Sequence, residues 1–286
     1  MSQKVGLHVS AAGGVENAPK NAVEFGAECF QFFSRSPRGG PARPISDEQA
    51  KLFRDHCKEN DFESYIHTPY YINFASKNNK IYYGSISAVR EELERGTKLG
   101  VKYVMTHMGS ARDHVDDTTD SRVPDTAIKQ AIEGLKKIFE GSPKFTTQLL
   151  LEISAGAGAV LGDSFEELAK LLKGLGRKDV NVCLDTCHLF ASGYDLRTKD
   201  AVDETMKQFK KYLGLSRLKL VHMNDSKAGL GEHKDRHEHM GKGQIGAKGL
   251  KAILNHPDFA KVNFILETEH DEFIHDDLAF LKKHRP

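Results

Sequence analysis

The chain has 286 residues and carries 41 Lys and Arg against 40 Asp and Glu, a formal net charge of +1 with the histidines neutral. Taken alone, that balance excludes a protein that holds a polyanion by bulk charge. No apolar run approaches the roughly 18 residues of a membrane helix, and no Pro/Gly/Ser-rich linker or low-complexity tract interrupts the chain, so one domain over residues 1–286 is expected.

Apolar, β-branched and aromatic runs predict strands at residues 4–9, 28–33, 62–66, 101–106, 148–153, 180–184, 217–223 and 262–266. The first begins almost at the N-terminus with no charged-then-apolar leader, from which a soluble, cytoplasmic protein is expected. Helical period follows Ser46 (DEQAKLFRDHCKEN) and Ser85 (ISAVREELERGTKL), both read as helix starts, then PDTAIKQAIEGLKKIF at 124–139. Ser164 with Glu167 three residues on reads as a capping box. The segments DAVDETMKQFKKYL at 200–213 and DEFIHDDLAFLKKH at 271–284 close the series. Eight strands alternating with helices predict an α/β fold, a (β/α)₈ TIM barrel, whose usual size is about 250 residues. An open doubly wound sheet is the competitor. The barrel is preferred because chemically useful residues follow nearly every strand, whereas an open sheet gathers them at one switch point.

Those residues are His67, His107, Glu152, Asp185, His188, His222, Asp235, His237 and Glu267. If the apolar runs are strands, the nine converge on one rim. Five imidazoles with four carboxylates favour Zn²⁺ and leave Mn²⁺ or Fe²⁺ open, whereas Ca²⁺ or Mg²⁺ would want oxygen alone. With four or five bonds per ion and a position left open at each, three ions suit nine ligands better than one or two. Such ions would make the rim positive on a nearly neutral protein, and so attract phosphate. A lone histidine is more often a surface or hydrogen-bonded core residue than a ligand. Glu152 and Glu267, by contrast, end the apolar runs LLLE and FILE, where a carboxylate needs a cation or several donors. In GEHKDRHEHMGKG, position alone does not separate Asp235 and His237 from the flanking His233 and His239. His8 is expected behind the ligands or against phosphate.

Other signals carry less. Cys29, Cys57, Cys183 and Cys187 contain no CxxC pair, and a reducing compartment with free thiols is expected. Gly241–Gly246 matches GxGxxG but follows a polar loop, which argues against a nucleotide cofactor. Its glycines read instead as shaping a loop and a helix start near phosphate. Gly156-Ala-Gly158 lacks a P-loop lysine and reads as a tight turn.

Together HVSAAGG (8–14), THMGS (106–110), LLLEISAGAG (149–158), CLDTCHLFASGYDLRT (183–198), VHMNDSK (221–227), DRHEHMGKGQIG (235–246) and ILET (265–268) resemble the endonuclease IV family of apurinic/apyrimidinic endonucleases, end to end. The resemblance implies a TIM barrel with three zinc ions, acting in base excision repair on duplex DNA as a monomer. It would cut on the 5′ side of an abasic site and leave a 3′-hydroxyl and a 5′-deoxyribose phosphate. By matching position, His67 and His107 would hold the first zinc, with Glu152 bridging to a second completed by Asp185, His222 and Glu267. His188, Asp235 and His237 would hold the third. A hydroxide shared by the first two ions would be the nucleophile, because Zn²⁺ lowers the pKa of bound water to about 7, with Glu152 and Glu267 the carboxylates beside it. Tyr70 and Tyr71 lie where the family enters the minor groove, and Arg38 where it inserts an arginine. The chain departs from the family at Pro37, Gly39 and Gly40, where bulkier residues are usual. A metal-dependent sugar isomerase or epimerase, which gathers similar residues for one or two metals, is the alternative. A barrel that binds nucleic acid or metal without turnover is the non-catalytic one.

Overall fold

The computed structural model describes residues 3–116, 123–141 and 144–286. Eight parallel strands close into a barrel: β1 (Val5–His8), β2 (Cys29–Phe32), β3 (Glu63–His67), β4 (Tyr103–Thr106), β5 (Gln148–Glu152), β6 (Val180–Asp185), β7 (Leu218–His222) and β10 (Asn263–Leu266). Each expected strand is present, and β1 pairs with β10 to shut the sheet. Closure separates two apolar regions. The outward side chains pack under the helices, and the inward ones, including Cys29, Tyr65, Met105, Leu150, Cys183, Leu220 and Ile265, fill the barrel interior. Among the described residues no helix is long and apolar enough to cross a membrane.

The strand period of two turns that interior into the floor of a site. Two residues beyond the interior side chains just named stand Gln31, His67, His107, Glu152, Asp185, His222 and Glu267. On β1, Gly6 and His8 hold the same parity, and a Cβ on Gly6 would sit 1.6 Å from the Cys29 carbonyl oxygen, so only glycine fits there. The last inward position of every strand is thus polar, and these residues ring the carboxyl-terminal mouth.

Local signals held at several helices and failed at others. Ser46 caps α2 (Asp47–Glu59) in a complete capping box with Gln49. Ser85 does not start a helix. The helix α3 (Asn79–Leu99) begins about two turns earlier, because the Asn78 side chain accepts from the Lys80 and Ile81 amides. Ser85 lies inside it, donating to the Ile81 carbonyl and accepting from the Asn73 amide. Ser164 caps α5 (Phe165–Leu175), but the Glu167 carboxylate turns to the Gly162 amide at 2.6 Å, which leaves the box half made.

A short antiparallel ribbon, β8 (Asp225–Ser226) with β9 (His237–Glu238), was not expected; it folds the His-rich loop back over the barrel mouth. It also shows what GKGQIG shapes, a loop and a helix start. The amides of Gly243, Ile245 and Gly246 converge on the Asp225 carboxylate at 3.0–3.3 Å, and α8 (Gly246–Leu254) starts there. These amides are therefore taken up by an internal carboxylate.

Candidate metal centre

Of the nine candidate side chains, His67, Glu152, Asp185 and His222 end barrel strands, His107 and Glu267 stand one residue past β4 and β10, His188 lies on the short helix after β6, and Asp235 and His237 on the loop and ribbon after β7; all meet at the carboxyl-terminal mouth. His67, His107 and Glu152 offer donor atoms within 4.8 Å of one another, as do Glu152, Asp185, His222 and Glu267, and Asp185, His188 and His237. Glu152 and Asp185 each belong to two groups, so the sets adjoin. The Nε2 atoms of His188 and His237 lie 3.2 and 3.3 Å from one oxygen of Asp235. Cys187, unremarked as a ligand in the sequence, offers a thiol near Asp235 and His237 as well. It is buried, and burial pushes that thiol up to about 12, which leaves it a poor donor while protonated.

Local structure explains the aim of several donors. Asp185 ends β6 and caps the one-and-a-half-turn α6 (Thr186–Ala191), its Oδ1 accepting the His188 amide at 2.8 Å. His188 is thereby placed one turn beyond Asp185 on the same side. His67, His188 and His237 each donate Nδ1–H to a backbone carbonyl, of Thr68, Ile153 and Glu267 respectively, at 2.7, 2.9 and 3.2 Å. A carbonyl only accepts, so in each ring Nδ1 is spent on the main chain and Nε2 is the nitrogen turned to the site, free to bind an ion once it has no proton.

The electrostatics call for cations. Burial alone would raise the Glu152 carboxyl, but His107, His222 and His67 outweigh it and hold it well below the usual range. Burial likewise opposes charge on His188 and His237, yet Asp185 and Asp235 push them up to about 10 and about 9. Two further features fit a metal. The buried Nε2 atoms of His188 and His237 converge on one Asp235 oxygen without the geometry of a good hydrogen bond. The Nδ1 of His222 faces two carboxylate oxygens, of Glu152 at 2.9 Å and Glu267 at 3.1 Å. Nitrogen and oxygen donors gathered in this way suit a divalent metal such as zinc.

Of the flanking histidines, His239 turns away to Asp277 at 2.7 Å and Asp271 at 3.2 Å, and His233 joins none of the donor groups. His8 is half-buried, and desolvation pushes its ring down to about 3, which keeps it neutral. It stands 3.1 Å from Gln31 and lines the cavity above the donors.

That cavity, about 770 Å³, is walled on one side by Phe33, Tyr70 and Tyr71. Tyr70 is 69% exposed, whereas Ile72 is 3% exposed and packs into the barrel. The Tyr70 amide donates to the Pro37 carbonyl at 3.1 Å, which ties this loop to the one bearing the exposed Arg38. The base of the Arg38 loop is fixed by Arg35 and Ser34 on the buried Glu92, while Gly39 and Gly40 take φ of +116° and +94°. Backbone freedom replaces the bulk usual there, and it leaves room beside the Tyr71 ring, 3.8 Å from a Cβ on Gly39.

Two buried amides escaped sequence reading. Gln31 contacts His8, His222 and Glu267, and Asn224 joins Asp185 to the Glu267 amide. Strand parity alone would have found Gln31, the residue of β2 in line with the ligands.

Comparison with known proteins gives the same family from sequence and from fold. Residues 19–284 match the model of the xylose isomerase-like TIM barrel family. A protein named Probable endonuclease 4 from Halothermothrix orenii is 38% identical over 93% of each chain. Its namesake from Methanosphaerula palustris is 36% identical over 98% of this chain and 96% of its own. The chain belongs to the endonuclease IV family. Endonuclease IV from Thermus thermophilus superposes with a TM-score of 0.85 at 32% identity, covering 98% of this chain and 99% of that one. A D-tagatose 3-epimerase-like protein shares the fold at a TM-score of 0.71 and 17% identity, covering 98% and 95%. The endonuclease IV likeness thus extends to sequence, and the epimerase likeness is one of barrel architecture.

Proposed function

We propose that this chain is a zinc-dependent repair endonuclease that hydrolyses the phosphodiester bond 5′ to an abasic site in duplex DNA, leaving a 3′-hydroxyl and a 5′-deoxyribose phosphate. The observation that carries the reading is the adjoining of the donor sets at one mouth, linked through Glu152 and Asp185. An epimerase or isomerase, which works on a small sugar, needs one or two metals, and nine donors exceed that.

His67, His107 and Glu152 would hold the first zinc, Glu152 with Asp185, His222 and Glu267 the second, and His188, Asp235 and His237 the third. Bound there, zinc supplies Lewis acidity, which polarises phosphate oxygens and acidifies water near neutral pH. The chain does the rest. Glu267 keeps one oxygen on Gln31 at 2.6 Å and leaves Oε2 toward the donors, placed to take a proton from the attacking water. His8, neutral and in the cavity wall, is placed to contact a phosphate oxygen. The barrel mouth is recessed, so the abasic nucleotide must leave the duplex to reach it; extrusion costs a few kcal/mol, and least where no base is stacked or paired.

Tyr70 and Tyr71, with Arg38 on the adjoining loop, would fill the gap left in the helix. Tyr70→Ala and Arg38→Ala are each expected to weaken abasic-duplex binding about tenfold, with zinc content unchanged. Wild-type affinity in both variants, measured by fluorescence anisotropy, would remove the wedge from the account.

The deciding experiment is incubation of the zinc-loaded protein with an end-labelled duplex bearing one abasic site. A single cut immediately 5′ to the lesion with a 3′-hydroxyl end is the expected product. An intact strand from fully loaded protein would refute the reading and favour sugar chemistry.

A further inference from the structure

Gln31 is fully buried on β2 among the candidate ligands, and its three polar contacts determine how its amide is turned. Its Nε2 lies 2.6 Å from Glu267 Oε1 and 3.1 Å from His8 Nδ1, and its Oε1 lies 2.7 Å from His222 Nε2. A carboxylate only accepts, so the NH₂ must face Glu267 and the carbonyl oxygen must face His222. His222 then carries a proton on Nε2, and Nδ1, facing the carboxylates of Glu152 and Glu267, is the nitrogen left to give up its proton to an ion. This reverses the pattern at His67, His188 and His237, where Nδ1–H is held by main-chain carbonyls and Nε2 faces the site. Among these four rings, His222 alone has its tautomer set by a side chain, and so by something a mutation can remove.

We infer that Gln31 is a positioning residue for the second metal, selecting the Nε2–H tautomer of His222 and holding Glu267 Oε1 so that Nδ1 and Oε2 are presented to the same ion. The inference rests on the three-metal reading above. Without the amide, the buried His222 loses the carbonyl that holds Nε2–H, with only the weakly accepting thiol of Cys183 beside the ring, and the neutral ring is free to move its proton to Nδ1, where it blocks coordination. Glu267 loses the Gln31 donor at Oε1.

The test compares wild type with Gln31→Met, which keeps the length and removes both polar atoms, and Gln31→Glu, which keeps an acceptor for His222. Zinc per chain is measured by plasma emission spectrometry after dialysis against a graded chelator, with the melting temperature of each metal-stripped protein alongside. Gln31→Met is expected to lose one ion at roughly 10- to 100-fold lower chelator concentration than wild type, while the other two remain. Gln31→Glu is expected to retain three. A long-range ¹H–¹⁵N spectrum of the zinc-loaded wild type should show His222 protonated on Nε2. Equal retention of all three ions by Gln31→Met, equal loss by both variants, or an Nδ1–H signal for His222 would each overturn the role of Gln31. Loss of all ions together with a lower stripped melting temperature would overturn it too, by showing a merely structural part. Absence of zinc from the wild type would instead remove the three-metal reading itself.

Discussion

Glu267→Gln is expected to bind an abasic duplex within a few-fold of wild type and to cleave it roughly 10²–10⁴ times more slowly, the range for loss of a general base. The substitution is close to isosteric, and a Gln carbonyl at Oε1 still accepts from Gln31, so the β10 end should stay in place. What disappears is the charge at Oε2 and with it the ability to take a proton. Single-turnover cleavage separates this from a binding defect, because a neutral amide leaves the Tyr70 and Arg38 loops untouched. Zinc content must be measured in parallel, since the same oxygen is a candidate ligand. Undiminished single-turnover cleavage by a fully loaded variant would sink the assignment of Glu267.

Removal of metal should produce the largest change in stability. Each ion held at about a thousandfold above its Kd stabilises the fold by about 4 kcal/mol, so stripping is expected to lower the melting temperature by on the order of 10 °C or more. The effect has a pH dependence of known sign. In the metal-free cluster His188 and His237 are pushed up to about 10 and about 9 by Asp185 and Asp235. Groups whose folded pKa is raised contribute stability that is complete below their unfolded value near 6.5 and is lost as pH rises through the folded values. The stripped protein should therefore weaken between about pH 7 and pH 10, and the gap between loaded and stripped melting temperatures should widen from pH 6 to pH 8.5. Zinc binding at pH 7 should also release protons, visible in calorimetry as a heat that varies with buffer ionisation enthalpy. Superimposable melting curves for loaded and stripped protein at every pH would mean that these residues hold no structural share of the metal.

The alternation of strand and helix was legible because both periods are local, and a parallel strand buried on both faces is a run of apolar residues whatever its neighbours. Glu152 and Glu267 stood out for the same reason: a carboxylate closing such a run has no local explanation. Boundaries that depend on a single side chain were less visible. Ser85 had the right chemistry for a helix start, but Asn78 lay seven residues earlier and captured the amides first. The glycines of GKGQIG have the composition of a phosphate loop, and only the placement of Asp225 beneath their amides shows which anion they serve.

Strand parity and apolar runs act over a few residues, so the chain alone specifies the barrel and the strand positions at which polar residues reach its mouth. Only the folded structure decides which of the three clustered histidines turns inward, that Glu152 and Asp185 are shared between donor groups, and that Gln31 and Asn224 stand among the ligands. Glutamine and asparagine carry no charge that must be explained, so only the parity of β2 points to Gln31, and nothing in the chain marks Asn224. Their meaning arises only when barrel closure brings residues 31, 222 and 267 within hydrogen-bonding distance, since donor and acceptor roles are properties of neighbours rather than of the residue.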